Sequence, residues 1–170
     1  MNSESSQKVC FIIVLHDMLK LVGFGFWIIV FVSFLVVFLI VQQSSIVLNP
    51  EKLPQTLIGI IPETMGFLIA GLAIIMGFNE GTLERLSKPA DDNEKPIMVI
   101  IASFSVCLLI LLATLIVSTM YVNISFSCVG CCRLMGAFVL WGAVISIESI
   151  IHVIFHLFAT GTYLAGSKKV

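Results

Sequence analysis

The sequence predicts an all-α, polytopic membrane protein with four transmembrane helices, and three observations carry that prediction. The chain of 170 residues is 59% hydrophobic and only 11% charged, whereas charged residues make up about 25% of an average soluble domain. Four apolar runs have about the 20 residues that cross the hydrocarbon core of a bilayer. The stretches between them are polar and rich in Pro, Gly, Asn and Ser, which is typical of loops.

The four runs form a single membrane domain that comprises residues 1–170, with spans at about 21–41, 57–78, 97–121 and 134–159. Each is expected to be a helix, because lipid offers no hydrogen-bond partners to an open backbone. The first run is too long for the apolar part of a signal peptide, so we expect it to be retained. The segment before it, Val9–Lys20, is either an interfacial amphipathic helix or an extension of the first span.

Basic residues predict that both chain termini are cytoplasmic. Four spans place the N-terminus, the 79–96 loop and the C-terminus on one side of the membrane. Seven of the nine Lys and Arg residues fall on that side, and only Lys52 and Arg133 fall on the other. Lys and Arg accumulate in cytoplasmic loops of membrane proteins, which gives the orientation.

Three cysteines then lie on the outer side, between the third and fourth spans: Cys128, Cys131 and Cys132. Disulfides persist in oxidising compartments, so a disulfide within this loop or between subunits is one interpretation. Inert or lipid-modified thiols are another. A metal site would need a second pair of ligands, and the loop offers none; we therefore predict neither a metal site nor a cofactor.

The second span carries small residues at steps of three and four, with Glu63 among them. This small-residue stripe comprises Gly59, Gly66, Ala70, Ala73 and Gly77. Small residues on one face let the backbone of another helix come close. We therefore expect this helix to be central to packing, either within one subunit or between the subunits of a homo-oligomer.

The third span has a weaker polar stripe, and the first span has almost no polar atoms. The polar stripe comprises Ser103, Cys107, Thr114 and Ser118, which either bond to carbonyls of their own helix or line a narrow polar path. The first span is rich in Phe on all sides, so we expect it to face lipid.

Titratable residues inside the fourth span are the most unusual feature of the sequence. Glu148, His152 and His156 are four residues apart, so they share one face of a helix. A charged residue at the centre of a membrane helix costs about 2.5–3.5 kcal/mol on insertion scales. Together with Glu63 of the second span, these side chains would form a polar intramembrane track from the outer surface towards the cytoplasm.

Three interpretations of this track stay open. The first is a proton or metal-ion pathway, in which only adjacent residues of one helix could chelate an ion unless other subunits contribute. The second is structural: Glu148 bonds to His152 or to a hydroxyl of a neighbouring helix. In the third, the second membrane helix begins at Pro62 and Glu63 caps its N-terminus, while a gating or sensing role remains for the histidines.

The 79–96 loop holds the charged residues that we expect on the cytosolic surface. Its candidate docking residues for a cytosolic protein are Glu84, Arg85, Lys88, Asp91, Asp92 and Glu94; the alternative is an ordinary solvated turn.

No phosphate-binding loop or catalytic constellation occurs in the sequence, so we predict that the chain is not an enzyme. Its net charge of −1 gives no electrostatic basis for direct nucleic-acid binding.

In length, span number and charged cytosolic loop, the whole chain resembles the small four-helix inner-membrane subunits of bacterial antiphage systems, such as the membrane component of Kiwa. The resemblance implies a bacterial inner-membrane protein that senses perturbation of the envelope and works with a cytosolic effector. We therefore expect a non-enzymatic, oligomeric sensor or scaffold surrounded by membrane lipids. The alternative is an oligomeric ion or proton channel that uses the Glu148–His152–His156 face.

Overall fold

A computed structural model describes residues 22–43, 52–77, 86, 96–124 and 129–166. These ranges contain four long α-helices: α1 (Phe24–Gln43), α2 (Lys52–Met76), α3 (Pro96–Asn123) and α4 (Val129–Gly166). Each helix is long and apolar enough to cross a membrane, and the described ranges contain no strand. The predicted all-α fold with four membrane helices is therefore confirmed. The segment Val9–Lys20 lies outside the described residues.

The helices extend past the apolar runs that mark them in the sequence. α2 begins at Lys52 rather than at residue 57, and α4 runs from Val129 to Gly166 rather than from 134 to 159. Hydropathy marks the part of a helix that matches the hydrocarbon core, whereas backbone hydrogen bonding continues into the polar flanks.

Pro62 lies inside α2, so the prediction that the second membrane helix begins there, with Glu63 as its cap, is wrong. Proline has no N–H, and the carbonyl four residues earlier, that of Ile58, therefore has no partner at this turn. Membrane helices tolerate such prolines because neighbouring groups compensate for the lost bond.

α3 and α4 form the centre of the fold and share its largest interface. They run antiparallel, because Cys107 faces Ser149 in their middle while Tyr121 faces Cys132 beside the short connection. α1 packs antiparallel on α4, as the contact between Phe26 and His152 shows. α2 packs on α3 instead.

This up-and-down arrangement brings three parts of the chain to one end of the bundle. The start of α1, the start of α3 and the end of α4 lie together, and we call this end of the bundle the terminal end. The end of α1, the end of α3 and the start of α4 lie at the opposite end of the bundle. This arrangement agrees with a chain that crosses the membrane an even number of times.

Two apolar clusters hold the outer helices in place. One is formed by α2, α3 and α4 around Ile61, Phe104 and Val153. The other is smaller and joins the start of α1 to α3 through Phe26 and Val106. α1 remains largely exposed elsewhere, as expected for a helix that faces lipid.

Candidate functional site

The polar stripe of the third span forms the contact between α3 and α4. All four of its side chains are buried: Ser103, Cys107, Thr114 and Ser118. Two of them also bond to their own helix, as predicted: the hydroxyls of Ser103 and Thr114 donate to the carbonyls of Val99 and Ile110 at 2.8 and 2.9 Å.

Hydroxyl and thiol groups of α4 meet this stripe. The Sγ of Cys107 lies 3.3 Å from the Oγ of Ser149, and the Oγ1 of Thr114 lies 3.2 Å from the Oγ of Ser146. Gly142 allows the close approach, because a Cβ added there would lie 2.9 Å from the Cγ2 of Thr114. Cys107 and Thr114 are thus paired with side chains of α4, which favours a helix-packing seam over a polar path, whereas the buried Oγ of Ser118 has no hydrogen-bond partner among the described residues.

The titratable face of α4 lies against α1, on a different side from that seam. The Oγ of Ser33 lies 3.4 Å from the Oε2 of Glu148 and 3.0 Å from the carbonyl oxygen of Val30 in its own helix. This contact agrees with the structural interpretation, in which the carboxyl group bonds to a hydroxyl of a neighbouring helix. A second bond between these helices runs from the Nε1 of Trp141 to the carbonyl of Val30 at 3.4 Å.

His152 and His156 form a pair near the terminal end of the bundle, where α1 begins. Their Nε2 atoms are 3.0 Å apart, and their ring planes are nearly perpendicular at 87°. The ring of His152 packs on that of Phe26, with centroids 4.8 Å apart, and lies beside the backbone of Val22. Both imidazoles are half-buried.

Glu63 does not join this group. It is exposed on α2, which packs mainly against α3, whereas Glu148 and His152 face α1. The predicted track of Glu63, Glu148, His152 and His156 is therefore not continuous within one chain. Sequence spacing shows which residues share a helix face, but it does not show which helices are neighbours.

The small-residue stripe is also exposed. Gly59, Gly66, Ala70, Ala73 and Gly77 lie on the side of α2 away from α3, and no atom would lie within 4 Å of a Cβ added at Gly59 or Gly66. The expectation that this helix is central to packing within the subunit is wrong, because α2 is an outer helix. Packing between subunits stays a prediction.

Cys131 and Cys132 belong to the first turn of α4 rather than to a loop. Consecutive helical residues point about 100° apart, so these two cysteines do not face each other. The Sγ of Cys132 lies 3.4 Å from the Oη of Tyr121. Cys128 lies outside the described residues, so a disulfide that involves it stays a prediction.

The candidate docking residues Glu84, Arg85, Lys88, Asp91, Asp92 and Glu94 also lie outside the described residues. Within the described ranges, no cluster of three or more His, Cys, Asp and Glu side chains could hold a metal ion.

An apolar crevice of about 300 Å³ opens between α1, α3 and α4 and is flanked by Trp27 and Trp141. Its lining is suited to a hydrocarbon chain and offers no reactive group.

Three serines that complete these contacts were not predicted from the sequence. Ser33 of α1 bonds to Glu148, and Ser146 and Ser149 of α4 face the stripe of α3. A signal for the last two was present, because Gly142, Ser146 and Ser149 recur at steps of four and three. Ser33 gives no such signal as a single hydroxyl among aromatic residues.

Comparison of the chain with protein-family models, with curated proteins and with solved structures finds no match. The function is therefore argued from the residues of this chain.

Proposed function

We propose that this chain is a non-enzymatic subunit of a membrane homo-oligomer that acts as a sensor or scaffold for a cytosolic partner. The observation that carries the proposal is the exposed face of α2, where Glu63 stands among five small residues. This face points away from the rest of the chain.

The position of Glu63 explains why that face of α2 is expected to contact another helix. It lies near the middle of the 25-residue helix α2, where an ionised side chain facing lipid is costly by about 2.5–3.5 kcal/mol. Contact with another helix would replace lipid around the carboxyl group with hydrogen-bonding groups. Gly59 and Gly66, one turn on either side, leave room for a neighbouring backbone.

A large side chain at position 66 tests whether the chains assemble through this face of α2. We expect the wild-type chain in mild detergent to have the mass of an oligomer and Gly66→Leu to have the mass of a monomer, as measured by light scattering. Phe67→Leu is the matched control, since this residue is 80% exposed on a neighbouring part of α2 outside the stripe. A wild-type chain that is monomeric at all protein concentrations would refute the proposal.

The terminal end of the bundle supports the recruiting part of the proposal. The start of α1, the start of α3 and the end of α4 meet there, so we expect the two chain termini and the charged residues of the 79–96 loop to lie near one another. They would form one cytosolic surface if the basic residues set the orientation as expected. A role in antiphage defence at the bacterial inner membrane is part of this proposal and rests on the resemblance in size and topology.

Photo-crosslinking tests that surface. A photoreactive amino acid at position 91 is expected to capture a cytosolic protein in cells, whereas the same group at position 55 is expected to capture none. Gln55 is exposed near the start of α2, at the opposite end of the bundle. Equal capture at both positions would contradict a specific docking surface.

Ion conduction is the second candidate, favoured by the three titratable groups on one face of α4. Glu148 and the histidine pair follow one another towards the terminal end, which is the order that a proton path requires. Liposomes containing the purified chain test this candidate through proton flux. Flux that Glu148→Gln abolishes would support conduction, and liposomes that stay sealed at every pH would remove it.

A further inference from the structure

We infer that His152 and His156 form a binding site for a divalent transition-metal ion, with zinc and copper as the best matches. The inference is independent of the proposed oligomer, because both ligands come from one helix of one chain. It also differs from the predicted polar track, since it uses neither carboxyl group.

The separation of the two nitrogens suits a shared metal ion. Zinc–imidazole bonds are about 2.0–2.1 Å long, so two such nitrogens on one ion lie about 3.3 Å apart at a tetrahedral angle and about 2.9 Å apart at a right angle. The two Nε2 atoms are 3.0 Å apart. Small rotations of the rings would point both lone pairs at one ion without movement of the helix.

The surroundings of His152 prepare its Nε2 for this role. Metal-bound histidines usually donate their second ring N–H to a carbonyl or carboxylate, which fixes the ring and leaves the other nitrogen as the ligand. The backbone of Val22 lies beside the His152 ring, and Phe26 packs on its face. Since Nε2 faces His156, Nδ1 is the nitrogen left for the contact with Val22.

The position of the pair gives an ion a route to it. His152 lies level with Phe26, in the first turn of α1, and His156 is one turn closer to the terminal end. Both rings are half-buried rather than enclosed. Two protein ligands leave the remaining coordination positions to water, which is the arrangement of an open site and not of a closed structural one.

The nature of the ligands selects the class of ion. Neutral imidazole suits zinc, copper, nickel and iron, whereas calcium and magnesium prefer oxygen ligands. The nearest carboxyl group on this face, that of Glu148, is one turn deeper and bonds to Ser33. We therefore expect Cu²⁺ and Zn²⁺ to bind and Mg²⁺ not to compete.

Copper bound to the full chain tests the site directly. The sequence contains three histidines, so a His16→Ala background leaves His152 and His156 as the only imidazoles, and alkylation of accessible thiols removes the cysteines as ligands. Pulsed electron paramagnetic resonance of the detergent-solubilised chain with one equivalent of Cu²⁺ is expected to show two coordinated imidazoles. In the same background, His156→Ala is expected to show one and to raise the half-saturating Cu²⁺ concentration at least tenfold.

A spacing control separates chelation from the mere presence of two histidines. His156→Ala combined with Leu157→His keeps two imidazoles but places them five residues apart, on different faces of α4. We expect it to bind copper as weakly as His156→Ala does. Equal affinity in the paired chain and the spacing control, or only one imidazole in the paired chain, would overturn the inference, and neither result depends on the oligomeric state.

Discussion

Gly142 sets the distance between the two central helices at the scale of a single residue. Its missing side chain makes room for Thr114, whose hydroxyl bonds to Ile110, Gly142 and Ser146. A residue with a Cβ would push the helices apart where their polar groups are buried. Glycine thus contributes here through close approach of two helices and not through backbone flexibility.

We expect Gly142→Ala to lower the free energy of unfolding by about 1–3 kcal/mol, the usual cost of overpacking. The added Cβ would meet the Cγ2 of Thr114 at 2.9 Å. Gly161→Ala in the same helix is the control and should be neutral or slightly stabilising, because the added Cβ would meet no atom of the described residues within 4 Å beyond its own helix backbone. Unfolding in mixed detergent micelles measures both.

A double variant checks that explanation. Thr114→Ala removes the crowding methyl group, so combined with Gly142→Ala it should cost less than the sum of the two single changes. If the double variant instead costs the sum of the two single changes, the cost of Gly142→Ala does not arise from contact with Thr114.

Ser33 is expected to contribute through its bond to Glu148. Ser33→Ala should lower the stability of the chain by about 0.6 kcal/mol, the average measured for hydrogen bonds between membrane helices, and by no more than about 1.7 kcal/mol, the largest value measured. Thr119→Ala is the control, because Thr119 is exposed and bonds only to the Leu115 carbonyl of its own helix. Equal losses in the two variants would show that the bond between the helices adds nothing.

At the scale of the element, α2 shows where sequence patterns succeed and where they stop. Its stripe of small residues is real, as the shared exposed face shows, but periodicity within a helix cannot show what lies opposite that face. The interpretation in which this helix begins at Pro62 was wrong for a related reason. Proline favours a first turn in water, whereas in lipid the helix continues because an open backbone costs more.

Pro62 offers a direct test of this account. Pro62→Ala restores the N–H that the carbonyl of Ile58 lacks, and a proline inside a helix costs about 3 kcal/mol. We expect a gain of part of that amount in the stability of the chain in detergent. Pro54→Ala is the matched control, because Pro54 lies in the first turn of α2 and needs no N–H there; a loss of stability in Pro62→Ala alone would contradict the explanation.

At the scale of the whole molecule, hydropathy alone predicted the number and class of the helices. It predicted them well because lipid imposes helical structure on every apolar run of sufficient length. The neighbours of each helix were not predictable, since all four carry similar apolar faces. Ser33 and Glu148 became partners only when α1 was placed on α4, and Glu63 was excluded only when α2 was placed on α3.

The orientation of the bundle gives one further prediction. In intact cells, a membrane-impermeant maleimide should label Gln55→Cys, at the outer end of α2, and should label Asp91→Cys only after the cells are opened. The measurement uses chains whose native accessible cysteines are replaced by serine. The reverse pattern would invert the expected positions of the basic loop and of Cys131 and Cys132.

The unequal lengths of α1 and α4 have a mechanical consequence. At 1.5 Å per residue, the 18-residue apolar span of α1, Phe24–Val41, is about 27 Å long, and the 33-residue apolar span of α4, Gly130–Thr162, is about 50 Å long. A bilayer that becomes thicker or thinner would leave α4 spanning it with length to spare, but it would force α1 to tilt or to slide. Such a displacement would act on the bond between Ser33 and Glu148 and on the ring contact between Phe26 and His152, so α1 is the part of this protein that is matched to bilayer thickness.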